Sequence, residues 1–193
     1  MTGVRDPDAE QDAADPPSSA RHLANAVTML RVALVPVIAA LLLVDTDAAR
    51  WWAFAIFCFA ALTDSIDGWV ARRLVGVTRW GQLADPVADK LLIIGSLGVL
   101  AWLGLLPWWA VAVISAREVA ITVWRATLVR RGRVVPASVF GKAKTVSQVI
   151  AVALFLLPAV DEPVAMAALW VAVAVTVLSG LEYLRAETAG AGR

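Results

Sequence analysis

Residues 64–89 read DSIDGWVARRLVGVTRWGQLADPVAD and place four aspartates among apolar residues at the ends of two predicted helices. Asp64 and Asp67 are three residues apart, and Asp85 and Asp89 are four apart, so each pair lies on one face of its helix. Because only a short connection separates the two helices, we expect them to be antiparallel neighbours. Four carboxylates that converge from two helices form an all-oxygen site of the kind that suits Mg²⁺ or Mn²⁺.

The chain around this stretch is unusually apolar for its length of 193 residues. Hydrophobic residues make up 60% of it and the mean hydropathy is +0.74, whereas soluble domains are about 45–50% apolar. The formal net charge is only +1, so no overall basic field indicates a nucleic-acid partner. The composition therefore predicts an integral membrane protein that does not bind nucleic acid.

Six apolar segments approach the length of about 20 residues that a membrane-spanning helix needs. The uncharged run 91–116 is too long for one span, and Gly104 and Pro107 supply a turn that divides it. We therefore expect an all-α integral membrane protein with six transmembrane helices. Their expected bounds are residues 26–44, 51–73, 82–104, 107–130, 143–160 and 163–184.

The two ends of the chain differ in composition from its apolar middle. Residues 1–20 carry five acidic residues, three prolines and one arginine, which is typical of a disordered tail and unlike the basic start of a secretory leader. We expect residues 21–185 to form a single six-helix membrane domain and residues 186–193 to form a short C-terminal tail.

Basic residues are distributed unevenly between the predicted loops. With the N-terminus inside, the outer loops hold Arg50 alone, beside four acidic residues, and nearly all other lysines and arginines lie on the inner side. Tryptophans cluster at the outer helix ends, as in an interfacial aromatic belt. The positive-inside rule therefore predicts a multi-pass protein of the cell membrane. Its N-terminus and its aspartates would face the cytoplasm.

Two interpretations of the four aspartates are open at this point. In the first, the helices stop at the membrane interface and the aspartates are solvated helix ends. In the second, the aspartates line a polar cavity and bind cations, and their spacing on shared helix faces favours this interpretation. Gly68 and Gly81 would then leave room for a phosphate-bearing ligand to approach the backbone, and Arg72 could bind its oxygens.

The spacing of eight residues in this stretch resembles the signature of the CDP-alcohol phosphotransferase family, D-x2-D-G-x2-A-R-x8-G-x3-D-x3-D. Chance agreement at one start position is on the order of 10⁻⁹ to 10⁻¹⁰. Segments 25–36, 83–90, 115–118 and 141–145 are also similar to bacterial phosphatidylglycerophosphate synthases. The matching positions of the signature are Asp64, Asp67, Gly68, Ala71, Arg72, Gly81, Asp85 and Asp89.

The resemblance implies a metal-dependent transfer reaction on a CDP-linked lipid. Two divalent cations, Mg²⁺ or Mn²⁺, would bind the four aspartates and the diphosphate. Asp89 is similar to the carboxylate that acts as general base toward the acceptor hydroxyl. The implied metal ligands are Asp64, Asp67, Asp85 and Asp89. The residues implied to hold the CDP portion are Asp64, Gly68, Ala71, Arg72 and Gly81.

An acceptor such as glycerol 3-phosphate carries a phosphate dianion, which needs cations near the metals. The predicted acceptor residues are Thr28, Arg31, Arg117, Arg125, Lys142 and Lys144. For the two lysines, the alternative is ordinary positive-inside topology. Glu118 could simply pair with an arginine.

Three functions are compatible with these patterns. The first is transfer of a phosphatidyl group from CDP-diacylglycerol to glycerol 3-phosphate, by an enzyme that contacts membrane lipids and, by the resemblance, forms a homodimer. The second is cardiolipin synthesis by the same fold, with phosphatidylglycerol as acceptor. The third is cation transport. A transporter needs acids along a path across the membrane, whereas these acids cluster on the inner side and residues 91–116 hold none.

Overall fold

The computed structural model describes residues 18–74, 81–130 and 139–190, and this part of the chain forms six α-helices. Side chains are described for residues 29–30, 32–63, 90–124, 127–128, 141–183 and 185. The prediction of an all-α chain with six helices is confirmed. The helices are α1 Ser18–Leu43, α2 Asp47–Leu74, α3 Gly81–Trp102, α4 Trp108–Arg130, α5 Val139–Leu156 and α6 Glu162–Gly190.

The predicted division of the long apolar run between α3 and α4 is confirmed. Gly104 has a φ of +76°, a left-handed conformation that glycine adopts without steric cost and that often ends helices. The amides of Gly104 and Leu105 bond to the carbonyls of Ala101 and Leu100 at 3.1 and 2.9 Å. The chain therefore turns directly after α3, and α4 begins beyond Pro107.

Helix bounds differ from the predicted ones by four or more residues at five helix ends. Helices α2 and α5 each begin four residues before the predicted bound, at Asp47 and Val139. Helix α1 begins at Ser18 and α6 extends to Gly190, so each crosses a predicted boundary with a terminal tail. Helix α5 ends at Leu156 rather than at residue 160. The physical reason is Pro158, because the residue before a proline is disfavoured in the α conformation.

Helices α1 and α3 approach each other closely near the middle of the bundle. A Cβ atom built on Gly95 of α3 would lie 2.9 Å from Cγ1 of Val35 in α1. Around this contact, fully buried apolar side chains form a continuous core, to which Ile38, Phe57, Leu97, Leu100, Ile114 and Leu156 belong. The core packs α1–α6 into one bundle, and this packing sets the relative positions of the polar residues described below.

One end of the bundle brings together the turns that were predicted on the outer side. A cavity of about 270 Å³ there is lined by Arg50, Gly104, Phe155 and Glu162, among others. Nη2 of Arg50 donates to the carbonyl oxygen of Phe155 at 3.0 Å, near the last turn of α5. The start of α2, the α3–α4 turn and the α5–α6 turn therefore lie at the same end.

Among the residues that the structure describes, Glu162–Tyr183 in α6 is long and apolar enough to cross a membrane by length and composition. Val32–Leu43 and Lys90–Trp102 are shorter apolar stretches.

Candidate functional site

The predicted metal and CDP residues lie on two consecutive helices. The second half of α2 carries the first part of the acidic stretch, and the first half of α3 carries Gly81, Asp85 and Asp89. The side chains from residue 64 to residue 89 lie outside the described ones. The assignments of metal ligands, general base and CDP contacts therefore stay predictions.

A buried carboxylate in the middle of α4 is the centre of an ionic cluster. Glu118 is 3% exposed. Its Oε1 accepts hydrogen bonds from Nζ of Lys144 in α5 and from Nη1 of Arg117, the latter at 3.3 Å. Nζ of Lys90 in α3 lies 3.8 Å from Oε2. These four residues are called the Glu118 cluster below, and they join three helices.

Two of the cations in the Glu118 cluster share one carboxylate oxygen. Arg117 and Lys144 carry two positive charges and face the single negative charge of Glu118. Lys144 is only 8% exposed, so water screens its ammonium group little. Buried charges are costly unless they are paired. The arrangement is therefore suited to bind an additional anion such as a phosphate group.

Lys90 is held by α4 at two points one turn apart. Besides facing Glu118, its Nζ donates to Oγ1 of Thr122. The hydroxyl of Thr122 in turn donates to the backbone carbonyl of Glu118 at 2.6 Å. Because Lys90 directly follows Asp89 in the chain, these contacts connect the first half of α3 with the middle of α4.

Helix α6 supports the guanidinium group of Arg117. Nη2 of Arg117 donates to Oγ of Ser179 at 2.9 Å, and its guanidinium carbon lies 5.9 Å from the ring centroid of Tyr183, within cation–π range. A Cβ at Gly180 would lie 3.5 Å from Cγ of Arg117, so the arginine runs along the α6 backbone there.

The support from α6 continues into α5 through buried hydrogen bonds. Nε2 of Gln148 donates to Oγ1 of Thr176 at 2.9 Å. Oγ of Ser179 donates to the carbonyl oxygen of Thr176 at 2.9 Å while it accepts from Arg117. Gln148, Thr176 and Ser179 are all buried. Sequence reasoning gave none of these residues a role, although Thr176, Ser179 and Tyr183 recur at helical spacing in an otherwise apolar helix.

The predicted acceptor residues are partly brought together. Arg117 and Lys144 both bind Oε1 of Glu118, and the predicted pairing of Glu118 with an arginine is confirmed. Lys142 is exposed, two residues before the buried Lys144, and so occupies another face of α5. The remaining three predicted residues have side chains outside the described ones. They are Thr28 and Arg31 in α1 and Arg125 in α4.

The all-α bundle, its buried cationic cluster and the acidic stretch of α2 and α3 together fit a helical phosphotransferase. Residues 21–178 match the family model described as CDP-alcohol phosphatidyltransferase. The chain therefore belongs to the CDP-alcohol phosphatidyltransferase family, and it is an enzyme of the phosphatidyltransferase type.

Curated relatives cover most of the chain. A protein of Mycobacterium tuberculosis named probable phosphatidylglycerophosphate synthase is 43% identical over 169 residues, which cover 84% of this chain and 80% of the relative. Proteins named CDP-diacylglycerol–glycerol-3-phosphate 3-phosphatidyltransferase are 40% identical in Bacillus subtilis and 37% in Escherichia coli. In both cases the match covers 84% of this chain and 93% of the relative.

Proposed function

We propose that this enzyme transfers the phosphatidyl group of CDP-diacylglycerol to glycerol 3-phosphate, giving phosphatidylglycerophosphate and CMP. The names of the relatives support this choice of substrates. The observation that carries it is that Arg117 and Lys144, two largely buried cations, share the single carboxylate of Glu118. The phosphate of glycerol 3-phosphate is a dianion near neutral pH and would bind these cations more strongly than a singly charged group. The phosphodiester of phosphatidylglycerol, the acceptor in cardiolipin synthesis, carries one negative charge.

The acceptor subsite consists, in this proposal, of the described Arg117 and Lys144 together with other basic residues around them. Both side chains are largely buried, and each is already oriented by Glu118. Charge-assisted hydrogen bonds to phosphate are strong, particularly from the planar guanidinium group of an arginine. The residues proposed to complete the subsite are Thr28, Arg31, Arg125 and Lys142.

The donor subsite is proposed on the acidic stretch of α2 and α3. Its four carboxylates are a hard, all-oxygen donor set, which suits two Mg²⁺ or Mn²⁺ ions. When bound, such ions would neutralise charge on the diphosphate. Asp89 would accept the proton of the acceptor hydroxyl. The hydroxyl oxygen would then bond to the β-phosphorus of CDP-diacylglycerol while the bond from that phosphorus to CMP breaks. The proposed CDP contacts are Asp64, Gly68, Ala71, Arg72 and Gly81.

We further propose that residues 21–185 form a membrane-embedded catalytic domain with six spans. Large apolar side chains are exposed on several helices, among them Val119 and Val123 on α4 and Val171 and Leu178 on α6. Such exposure is explained if these faces contact lipid. In this topology the N-terminus and the aspartates face the cytoplasm, and the tails at both ends lie there too. A homodimer is proposed by family resemblance.

The decisive assay measures CMP release by the purified enzyme in mixed micelles with CDP-diacylglycerol. We expect release to require glycerol 3-phosphate and a divalent cation, to stop on chelation, and to resume when Mg²⁺ or Mn²⁺ is restored. Mass spectrometry should identify phosphatidylglycerophosphate as the lipid product. Efficient turnover with phosphatidylglycerol alone would instead support cardiolipin synthesis. Absence of CMP release with every acceptor would refute the proposed function.

The proposed metal ligands can be tested by single substitutions. Asp64→Asn, Asp67→Asn, Asp85→Asn and Asp89→Asn should each abolish CMP release while the protein still inserts into the membrane. Asparagine keeps the size and one acceptor oxygen but removes the charge, so the substitution isolates electrostatics. Asp161→Asn is the matched control, because Asp161 is exposed in the turn before α6 at the opposite end of the bundle. Near-normal activity in three of the four variants would show the assignment to be wrong.

A further inference from the structure

Glu118 belongs to none of the groups proposed to bind the metals, the CDP portion or the acceptor. A carboxylate repels a phosphate dianion, so it cannot hold the acceptor directly. We propose that Glu118 is a positioning residue, which holds Lys144 and Arg117 in place for the acceptor phosphate and links them to Lys90 beside Asp89. This inference rests on the proposed function and adds a residue to its acceptor subsite.

The first argument is the geometry of the carboxylate. Oε1 of Glu118 accepts from both Lys144 and Arg117, and Oε2 faces Lys90. The three cationic groups come from three different helices. Lysine side chains are long and flexible, and each places its charge as a point at the end of a four-carbon stem. A carboxylate that contacts all three groups orders them before the substrate arrives.

The second argument is burial. Glu118 and Lys144 are 3% and 8% exposed. An ammonium group this deeply buried needs a counter-ion, because transfer of an unpaired charge from water to an apolar interior is strongly unfavourable. Without the Glu118 carboxylate, Lys144 cannot stay both buried and charged at its present position. Removal of the Glu118 carboxylate would therefore weaken acceptor binding, because Lys144 would lose its charge or leave its position.

The third argument is the connection to the donor side. Lys90 directly follows Asp89, and its Nζ contacts Thr122 as well as facing Glu118. Thr122 bonds to the backbone of Glu118 itself. One turn of α4, from Glu118 to Thr122, therefore contacts both the proposed acceptor cations and Lys90, the residue next to the proposed general base. Glu118 is therefore placed to hold the acceptor subsite in a fixed position relative to the donor subsite.

The test is a double-mutant cycle of Glu118→Gln, Lys144→Met and the double variant, with the Michaelis constants for both substrates measured. Glu118→Gln should raise KM for glycerol 3-phosphate about tenfold, the loss expected for one charge-assisted contact to phosphate. KM for CDP-diacylglycerol should stay within about twofold. Lys144→Met should have a similar effect, and the double variant should be no worse than Lys144→Met alone.

The double variant separates positioning from a structural role and from a simple charge effect. It removes one charge of each sign, so the net charge of the cluster is unchanged and the broken buried pair is replaced by neutral groups, which often restores stability. If the Glu118–Lys144 pair is only structural, the double variant should recover both the melting temperature and the acceptor KM. If only net charge matters, Glu118→Gln should lower the acceptor KM. Either result overturns the inference.

Two further variants complete the experiment. Glu162→Gln makes the same substitution at an exposed carboxylate at the other end of the bundle and should change neither KM. If Glu118→Gln does not fold, Glu118→Asp makes the same test, because it keeps the charge but withdraws the carboxylate by one methylene. An unchanged acceptor KM in Glu118→Asp, or in Glu118→Gln where that variant folds, refutes positioning. Failure of the wild-type enzyme to use glycerol 3-phosphate would refute the proposed function itself.

Discussion

A methyl group added at Gly95 should force α1 and α3 apart. The new Cβ would lie 2.9 Å from Cγ1 and 3.1 Å from Cγ2 of Val35. Carbon atoms in ordinary contact are about 3.5–4.0 Å apart. Valine is short and stiff at χ1, so its side chain cannot turn aside. The clash must be relieved by movement of the helix backbones.

The loss of stability in Gly95→Ala can be calculated by comparison with a second glycine in the same helix, Gly98. A Cβ at Gly98 would meet no atom within 4 Å, so Gly98→Ala should gain about 1 kcal/mol of helix propensity without a clash. Gly95→Ala gains the same propensity but adds overpacking of about 1–3 kcal/mol. The propensity gain cancels between the two variants. Gly95→Ala should therefore be less stable than Gly98→Ala by about 1–3 kcal/mol.

The assay is thermal unfolding of both variants in the same detergent, followed by circular dichroism. For a chain of this size the difference corresponds to a shift of the melting temperature of about 2–12 °C. Adding Val35→Ala to Gly95→Ala removes both methyl groups that clash and should recover part of the loss. Equal melting temperatures for Gly95→Ala and Gly98→Ala would refute the close approach of α1 and α3.

Two further predictions concern the acceptor subsite and the topology. Ser179→Ala removes the hydrogen bond to Nη2 of Arg117, worth about 1.5–3 kcal/mol for a charged donor, and should raise KM for glycerol 3-phosphate. Thr145→Ala, at an exposed hydroxyl of α5, is its control and should leave that constant unchanged. In a Cys58→Ala background, a cysteine at position 161 should react with an impermeant thiol reagent added outside intact cells, whereas one at position 78 should not. The reverse labelling pattern would contradict the cytoplasmic orientation of the aspartates.

The helix count could be predicted from sequence because its determinants are local. The division between α3 and α4 depends on Gly104 and Pro107, which are adjacent to the turn that they produce. The end of α5 was misplaced although Pro158 is also a local signal, because the apolar character of the segment continues beyond the proline. The prediction follows hydropathy and extends α5 to residue 160. In the structure, the steric effect of Pro158 on the preceding residue ends α5 at Leu156.

The composition of the Glu118 cluster could be predicted only in part. Basic residues in or beside apolar segments stand out in the sequence, so Arg117 and Lys144 could be singled out. Their partners could not, because the bond from Arg117 to Ser179 joins residues 62 positions apart. Serine and threonine are also common in membrane helices, where they bond to their own backbone. No local sequence pattern predicts which of several cations a given carboxylate will contact. The partners of Glu118 are determined by how α3, α4 and α5 pack.

The depth of the Glu118 cluster bears on the choice between the two lipid-synthesis functions. Glu118 lies about 15 Å along α4 from its start at Trp108, by the helical rise per residue. The cluster is therefore in the interior of the bundle, and its most accessible member is Lys90, whose side chain is 29% exposed. Around a phosphate bound there, the described side chains come from α3, α4 and α5, with α6 behind Arg117. The phosphate of glycerol 3-phosphate is terminal, so three of its oxygens are free to accept hydrogen bonds from these groups. The phosphate of phosphatidylglycerol is a diester with only two such oxygens, so the terminal phosphate can make more charge-assisted hydrogen bonds with these cations.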